Sequence, residues 1–498
     1  MDESMHKLVA MVMLLVLPSG MLAPSQAQAP APSNVYDLII IGSGMAGLGA
    51  AKRAKELGVA KILILEARDR IGGRTITQPL NITLPPNSPA PAAIDLGAAW
   101  IHRISGARGF NPMAKLANDS GSGYVTTTEA GLSFDPKGVE DTDQWDKTYE
   151  DMLARWEVYY GKYLNGNPKD TDSLQTVYDK FVQSAPWSTL QKATLLQALV
   201  TEIAMDYAAD LSQLSGPWSQ EDYNWGNGPD ALPSRGYSTL VSYLATNQTI
   251  WTNYAVDFIN YSNPALVDVR GRILKGTGQG STFVLLAKGV INTMPLGYLQ
   301  AQLAPATPTL FKPALATSQS AAIKAMGMGL LNKVILVWPN SSWWSGIITT
   351  PWLTIRNSTS LGSFSEYYNL AATGVKLPVL ICFNAGSFAK SVESLSDAVI
   401  VSRALGPLQR LLPAGKTIPP PVQTIVTRWA SDPWTYGSYS YNKVGVSYNT
   451  RSKAFAALGT LKRVGFAGEH THLQFPSTAH GAYLSGVAEA ERLAPLVK

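Results

Sequence analysis

The sequence predicts an α/β protein that opens on a parallel-strand, nucleotide-binding unit. Two observations carry this. Between residues 36 and 66 a strand, a glycine-rich turn, a helix and a second strand follow one another directly. Of 498 residues, 46% are apolar and 15% charged, which supports large buried cores and excludes a mostly disordered chain. This length corresponds to roughly two to four domain-sized units.

Tyr36 to Ile41 (YDLIII) is the apolar, β-branched run that a buried parallel strand requires. Gly42-Ser43-Gly44-Met45-Ala46-Gly47 comes next, then helix-forming residues as far as Gly58. Lys61 to Leu65 is the second strand and ends at Glu66. The pattern is the G-x-G-x-x-G fingerprint of a Rossmann-like dinucleotide site. Gly42 permits the tight turn, Gly44 lets backbone approach a pyrophosphate, and Gly47 lets helix and strand pack closely. Met45 and Ala46 begin the helix, whose free N–H groups and positive dipole end suit phosphates. Glu66, 19 residues after Gly47, is placed to accept from ribose hydroxyls. Glu66-Ala67-Arg68 then runs to Gly72-Gly73-Arg74. The glycine pair allows a second close approach, and Arg74 offers a forked donor to a phosphate.

Further along, Gly276-Thr277-Gly278-Gln279-Gly280 leads into a strand, TFVLLA, and reads as a hairpin turn, not a second nucleotide motif. Gln144–Lys162 and Ser188–Ala209 are helical stretches; Lys333–Trp338 and Val379–Phe383 are strand-like. Residues 413–421, with four prolines, suit a crossing between domains. From about Ala479, AHGAYLSGVAEAERLA reads as a helix.

Composition narrows the function. A net charge of +5 argues against a nucleic-acid binder driven by phosphate neutralisation. The single cysteine, Cys382, cannot form an intrachain disulfide or a Cys-rich metal centre. Leu8–Leu17 is an apolar run too short for a membrane span, which needs about 20 residues. With Lys7 before it and Ser25-Gln26-Ala27 after it, residues 1–27 read as a secretory signal peptide, although Asp2 and Glu3 offset the usual positive charge. Residues 28–34 read as a linker. Sequons at Asn81, Asn118, Asn247, Asn260, Asn340 and Asn357 permit glycosylation in a secreted protein.

The extension from Glu66 to Arg74 resembles the FAD-dependent amine oxidase superfamily, most like its polyamine oxidases. Other segments carry the same resemblance: Asp95–His102 (DLGAAWIH), Pro233–Tyr237 (PSRGY), Ile291–Gly297 (INTMPLG) and Gly329–Val334 (GLLNKV). So do Thr427–Trp429 with Gly437–Tyr441 (TRW, GSYSY), and Gly465–Thr471 with His480–Tyr483 (GFAGEHT, HGAY). The stretch from about 105 to 230 is weakly matched, so substrate specificity is expected there. The resemblance implies two interleaved domains. An FAD-binding domain would take 34–100, 231–325 and 422–498. A mixed-sheet plus helical substrate domain would take 101–230 and 326–421.

It also implies roles. FAD would be non-covalent, because Cys382 lies far from the C-terminal signature where monoamine oxidases tether theirs. Gly97, Ala98, Trp100, Val256, Trp429 and Gly468 would contact the cofactor. Glu469 resembles the carboxylate at its ribityl or diphosphate region. Backbone N–H groups of Thr478 and Ala479 would face the anionic end of the reduced flavin. Lys333 resembles the lysine that holds a water beside flavin N5. Tyr439 resembles the aromatic residue flanking the substrate amine, and Thr478 stands where many members carry a second aromatic wall. His102 resembles the histidine near the substrate nitrogen; the family carries Gly next, whereas this chain has Arg103, a cation that would repel a polyamine. Glu202 and Asp206, four apart on the expected helix, share a face and are candidate carboxylates for an amine chain. A solvated helix face is the plainer alternative for that pair, as core filling is for Trp429 and His102.

The implied activity is oxidation of a polyamine or related amine by O2 to an imine, hence aldehyde, plus H2O2. An L-amino-acid oxidase, which would need an arginine for the substrate carboxylate, stays open, as does a non-catalytic flavin-binding interaction protein. No metal is expected. His470, His472 and His480 belong to the C-terminal signature, and the Asn-Tyr-Asp context of copper amine oxidases is missing.

Overall fold

A computed structural model describes residues 35–498 except 107–108, 142, 220–225, 227 and 357–361; for 143–145 only the backbone is described. The expected leader and linker, and the sequon at Asn357, lie outside the described residues.

Two sheets organise the chain. The larger has eight strands, in the order Ile250–Thr252, Ile62–Glu66, Val35–Ile41, Thr282–Asn292, Val267–Ile273, Tyr254–Asn260 and Phe311–Lys312, with Val464–Phe466 also against Thr282–Asn292. Val35–Ile41 lies parallel between Ile62–Glu66 and Thr282–Asn292. Leu38 and Ile40 enter one core, and Ile39 and Ile41 enter the core on the other face. Burial on both faces is why this strand reads as an unbroken apolar run. Tyr254–Asn260, Val267–Ile273 and Thr282–Asn292 form an antiparallel meander. Gly276, Gly278 and Gly280 all have positive φ in the turn between its last two strands, as the hairpin reading expects.

The helix Met45–Glu56 comes after the first strand and shares a core with the C-terminal helix Ala479–Val497. The smaller sheet has six strands, in the order Gln423–Val426, Leu331–Val337, Val379–Ala385, Glu366–Asn369, Trp352–Ile355 and Gly131–Phe134. All its pairings are antiparallel except the last. Gln423–Val426 lies just past the proline-rich crossing and still pairs with Leu331–Val337. Cys382 is fully buried in the middle of this sheet.

The first long helical stretch runs over Asp143–Asn165. The second departs from expectation. It is α-helical only over Thr189–Leu199, after a Ser188/Gln191 capping box, and continues as a π turn over Val200–Ala204. There the Met205 N–H bonds to the Val200 carbonyl at 3.0 Å, five residues back. Periodicity of 3.6 residues cannot reveal such a turn, which widens the helix and re-aims the side chains beyond it. No described helix is long and apolar enough to cross a membrane.

Candidate active site

A cavity of about 720 Å³ extends from the glycine-rich turn to the smaller sheet. Every candidate site residue named above lines it except Gly47. Gly47 sits behind the turn, where an added Cβ would lie 1.9 Å from the Gly42 carbonyl oxygen. Its contribution is therefore the close packing expected of it.

At one end, Gly44 caps the Met45–Glu56 helix, and no side chain bonds to the first-turn N–H groups. A Cβ on Gly44 would meet only the Gly72 carbonyl oxygen, at 3.9 Å. Glu66 is buried and accepts from Ser43 N and Oγ at 2.9 and 2.6 Å, and from Arg68 N at 2.9 Å. Arg68 forks onto Asp432 at 2.9 and 2.7 Å, which, against the effect of burial, holds that carboxyl below its usual range. Arg74 reaches Ser438 O at 2.8 Å and Glu469 Oε1 at 2.9 Å. Burial raises the Glu469 pKa, but Arg74, with His470 and Ser440, overcomes it and holds Glu469 at about 2. Glu469 also accepts from Ser440 Oγ at 2.7 Å and Ser477 N at 3.0 Å.

In the middle, Gly97 packs so tightly that a Cβ would fall 1.8 Å from the Arg74 carbonyl oxygen and 3.4 Å from the Trp429 ring. Lys333, on an interior strand of the smaller sheet, is buried. Its Nζ donates to the Asp95 and Gly97 carbonyls at 3.0 and 2.7 Å, and lies 5.8 Å from the Trp100 ring centroid. Burial brings its pKa down to about 8 despite the nearby Asp95 carboxylate. Thr478 caps the last helix through Gly481 N at 3.0 Å, leaving Ala479 as the first helical residue beside the cavity.

At the other end, Tyr439 donates its hydroxyl to the Asp206 carbonyl at 2.8 Å. Glu202 accepts from Tyr149 at 2.8 Å. Glu202 and Asp206 do face the same cavity, brought there by the π turn and the turn after it. His102 Nδ1 lies 2.9 Å from Asp230 Oδ2. Trp100 stacks on Trp352 at 5.9 Å, and both line the cavity.

Residues 45–494 match the model for flavin containing amine oxidoreductases. The chain belongs to the flavin-containing amine oxidoreductase family. Among its relatives, Lysine-specific histone demethylase 1 homolog 2 of Arabidopsis thaliana is 29% identical over 93% of this chain and 59% of that protein. The demethylase homolog 1 of Oryza sativa subsp. japonica is 31% identical over 93% of this chain and 52% of its own. The chain thus spans little more than half the length of these relatives. Polyamine oxidase 2 of Arabidopsis thaliana is 30% identical over 91% of this chain and 87% of its own. A solved putrescine oxidase bound to putrescine superposes with a TM-score of 0.70 at 16% identity, over 93% of this chain and 99% of that one.

FAD, the cofactor of this amine oxidoreductase family, fits the residues present. Gly44 keeps side-chain atoms out of the cavity beside a helix start with free N–H groups, and Glu66 stands at the end of the second strand. Cys382 does not line the cavity. Sequence reasoning missed three carboxylates that do: Glu129, Asp230 and Glu366. Glu366 pairs across the sheet with Phe383, and its Oε2 is shielded from solvent without a partner. Burial, with Asp206 and Glu202 nearby, raises its pKa well above the carboxylate range. Nothing in the one-dimensional pattern marks these positions, because each comes from a different segment.

Proposed function

We propose that the protein is an FAD-dependent amine oxidase that oxidises a polyamine or a related amine with O2, giving an imine, hence aldehyde plus amine, and H2O2. One observation carries the reading. Glu129, Glu202, Asp206, Asp230 and Glu366 line the same cavity as the dinucleotide cradle, together with the aromatic faces of Trp100, Trp352 and Tyr439. Carboxylates and aromatic faces are what a cationic chain with an apolar body requires. When bound, FAD supplies the hydride acceptor and the electron route to O2.

The chain's own residues do the rest. The helix that begins at Met45, with Glu66, holds the nucleotide part. Arg74 and Glu469 brace one another at the cavity wall. Tyr439 orients the amine, fixed by its bond to Asp206. His102, held by Asp230, faces the amine nitrogen. Lys333 uses two of its three donors on carbonyls, leaving one for a water at the reacting end. Positioning of this kind supplies much of the acceleration in such reactions. An L-amino-acid oxidase is disfavoured, because each arginine along the cavity already faces a carboxylate: Arg68 with Asp432, Arg74 with Glu469 and Arg103 with Asp230.

Secretion belongs to the same proposal. It rests on the N-terminal sequence and on Asn81, Asn118, Asn247 and Asn340, which are exposed, whereas Asn260 is half-buried in its strand. The test of function is anaerobic reduction of the purified, FAD-loaded protein by putrescine, spermidine, spermine and their acetyl derivatives. Bleaching of the oxidised flavin band is the expected result. Reduction by L-amino acids alone, or by no amine, overturns the proposal. A mass decrease on enzymatic deglycosylation of protein made in a eukaryotic host is the expected sign of secretion.

A further inference from the structure

Arg103 has φ of +54°, a backbone conformation that glycine adopts freely and side chains rarely do. The chain nevertheless places a long cation there, directly after His102. Asp230 secures it. The Arg103 N–H donates to Asp230 Oδ1 at 2.9 Å, and the guanidinium Nε lies 3.8 Å from the same oxygen. Nη1 reaches the Gly228 carbonyl at 3.4 Å. The other Asp230 oxygen holds His102. All three residues line the cavity. The Arg103 side chain is 40% exposed and Asp230 only 15%, so the cation lies towards solvent from the carboxylate.

The titratable and charged groups at this end of the cavity, among the described residues, are Glu129, Glu202, Asp206, Asp230, Glu366, His102 and Arg103. Arg103 is the fixed cation among them. Its charge acts on more than its immediate partner. Burial and then Asp230 raise Glu129, and Arg103 opposes both. Each ammonium group of a substrate passing this point meets a carboxylate already partly neutralised, and a like charge beside it.

We propose that Arg103 is a specificity-determining residue, which selects amines carrying one or two ammonium groups over those carrying three or four. The proposal rests on the amine-oxidase reading above. Within the amines of that reading, it makes monoamines and short diamines, including chains whose distal nitrogen is blocked and uncharged, the preferred substrates.

Arg103→Gly is the direct test, because glycine suits the backbone. In the holoenzyme, kcat/KM is measured for n-butylamine, putrescine, spermidine and spermine. The ratio of spermine to n-butylamine is expected to rise about tenfold in the variant, mainly through KM, and the rise shrinks with added salt. Arg103→Lys, which keeps the cation, is expected to retain the wild-type ranking. Two quaternary probes that need no turnover, tetramethylammonium and fully N-methylated spermine with its four fixed charges, are compared by calorimetry. The fourfold-charged probe is expected to gain affinity in Arg103→Gly relative to the singly charged one. An unchanged ratio in both measurements overturns the role of Arg103. If no amine reduces the wild-type flavin, it is the functional reading that fails, and the probe ratio still decides the role of Arg103.

Discussion

A lysine on an interior strand of a sheet is an expensive residue to bury, since its charge loses hydration there. Lys333 is retained at 4% exposure, with its Nζ on two carbonyls of the segment that begins at Asp95. Its pKa falls to about 8 through burial, and Asp95 rises to about 6 for the same reason, so their opposite charges partly sustain one another. Lys333→Met should therefore fold and keep flavin while slowing reoxidation by roughly 100-fold or more, as loss of a positioned proton-handling group does. Stopped-flow mixing of the reduced protein with O2 measures this; loss of bound flavin instead would refute the assigned role. Lys333 was legible because a motif surrounds it. Glu366 was not. It sits in SEYYN, where an acid beside two consecutive tyrosines forms no motif, and only the neighbouring segments make that face a cavity wall.

At the scale of elements, two glycines of one turn separate packing from binding. A methyl group on Gly44 meets no protein atom closer than 3.9 Å, and its φ of −75° suits any residue. On Gly47 the same methyl falls 1.9 Å from a backbone oxygen. Gly44→Ala is thus expected to fold with near-normal melting in the flavin-free form but to bind FAD at least tenfold more weakly, because one steric contact at the backbone approach costs more than about 1.4 kcal/mol. Gly47→Ala is expected to lose soluble protein. Flavin content and melting of the two purified variants decide it, and equal flavin loss with equal destabilisation would contradict the division. The strand–turn–helix unit was readable because strand, helix and glycine spacing are local properties. The π turn at Val200–Ala204 was not, since its extra residue per turn is imposed by packing and mimics a continuous helix in sequence.

Across the whole molecule, the buried histidines make a contribution to stability that is lost on acidification. His470 and His480 are buried, and burial brings both pKa values down to about 3. Below the ordinary histidine value of about 6.5 the unfolded chain takes up protons that the folded chain refuses. The stability present above that pH is therefore lost as pH falls towards 3, by about 2 kcal/mol for each histidine at pH 5. Glu469, held at about 2, adds a further loss below about 4.5. Asp95 and Glu366, raised by burial, act in the opposite sense, so the histidine share is read from a variant: the melting-temperature advantage of the protein over His470→Gln should shrink between pH 7 and pH 5, and an advantage independent of pH would show that the unfolded chain does not gain this proton. The net charge of +5 offers no general attraction for a cationic amine, so attraction must come from the carboxylates that the fold gathers around one cavity.

Local pattern alone determined the nucleotide-binding start, the principal strands, the last helix and, through its motifs, the family. These are short-range properties: spacing, alternation and backbone freedom at a turn. Only the tertiary structure decided which side chains face the amine. Glu129, Asp230 and Glu366 come from separate segments, and Arg103 turns its charge over Asp230 through a φ that no neighbouring residue announces. A cavity is the space left where distant segments meet, so its charge is set by packing and not by any one stretch of chain.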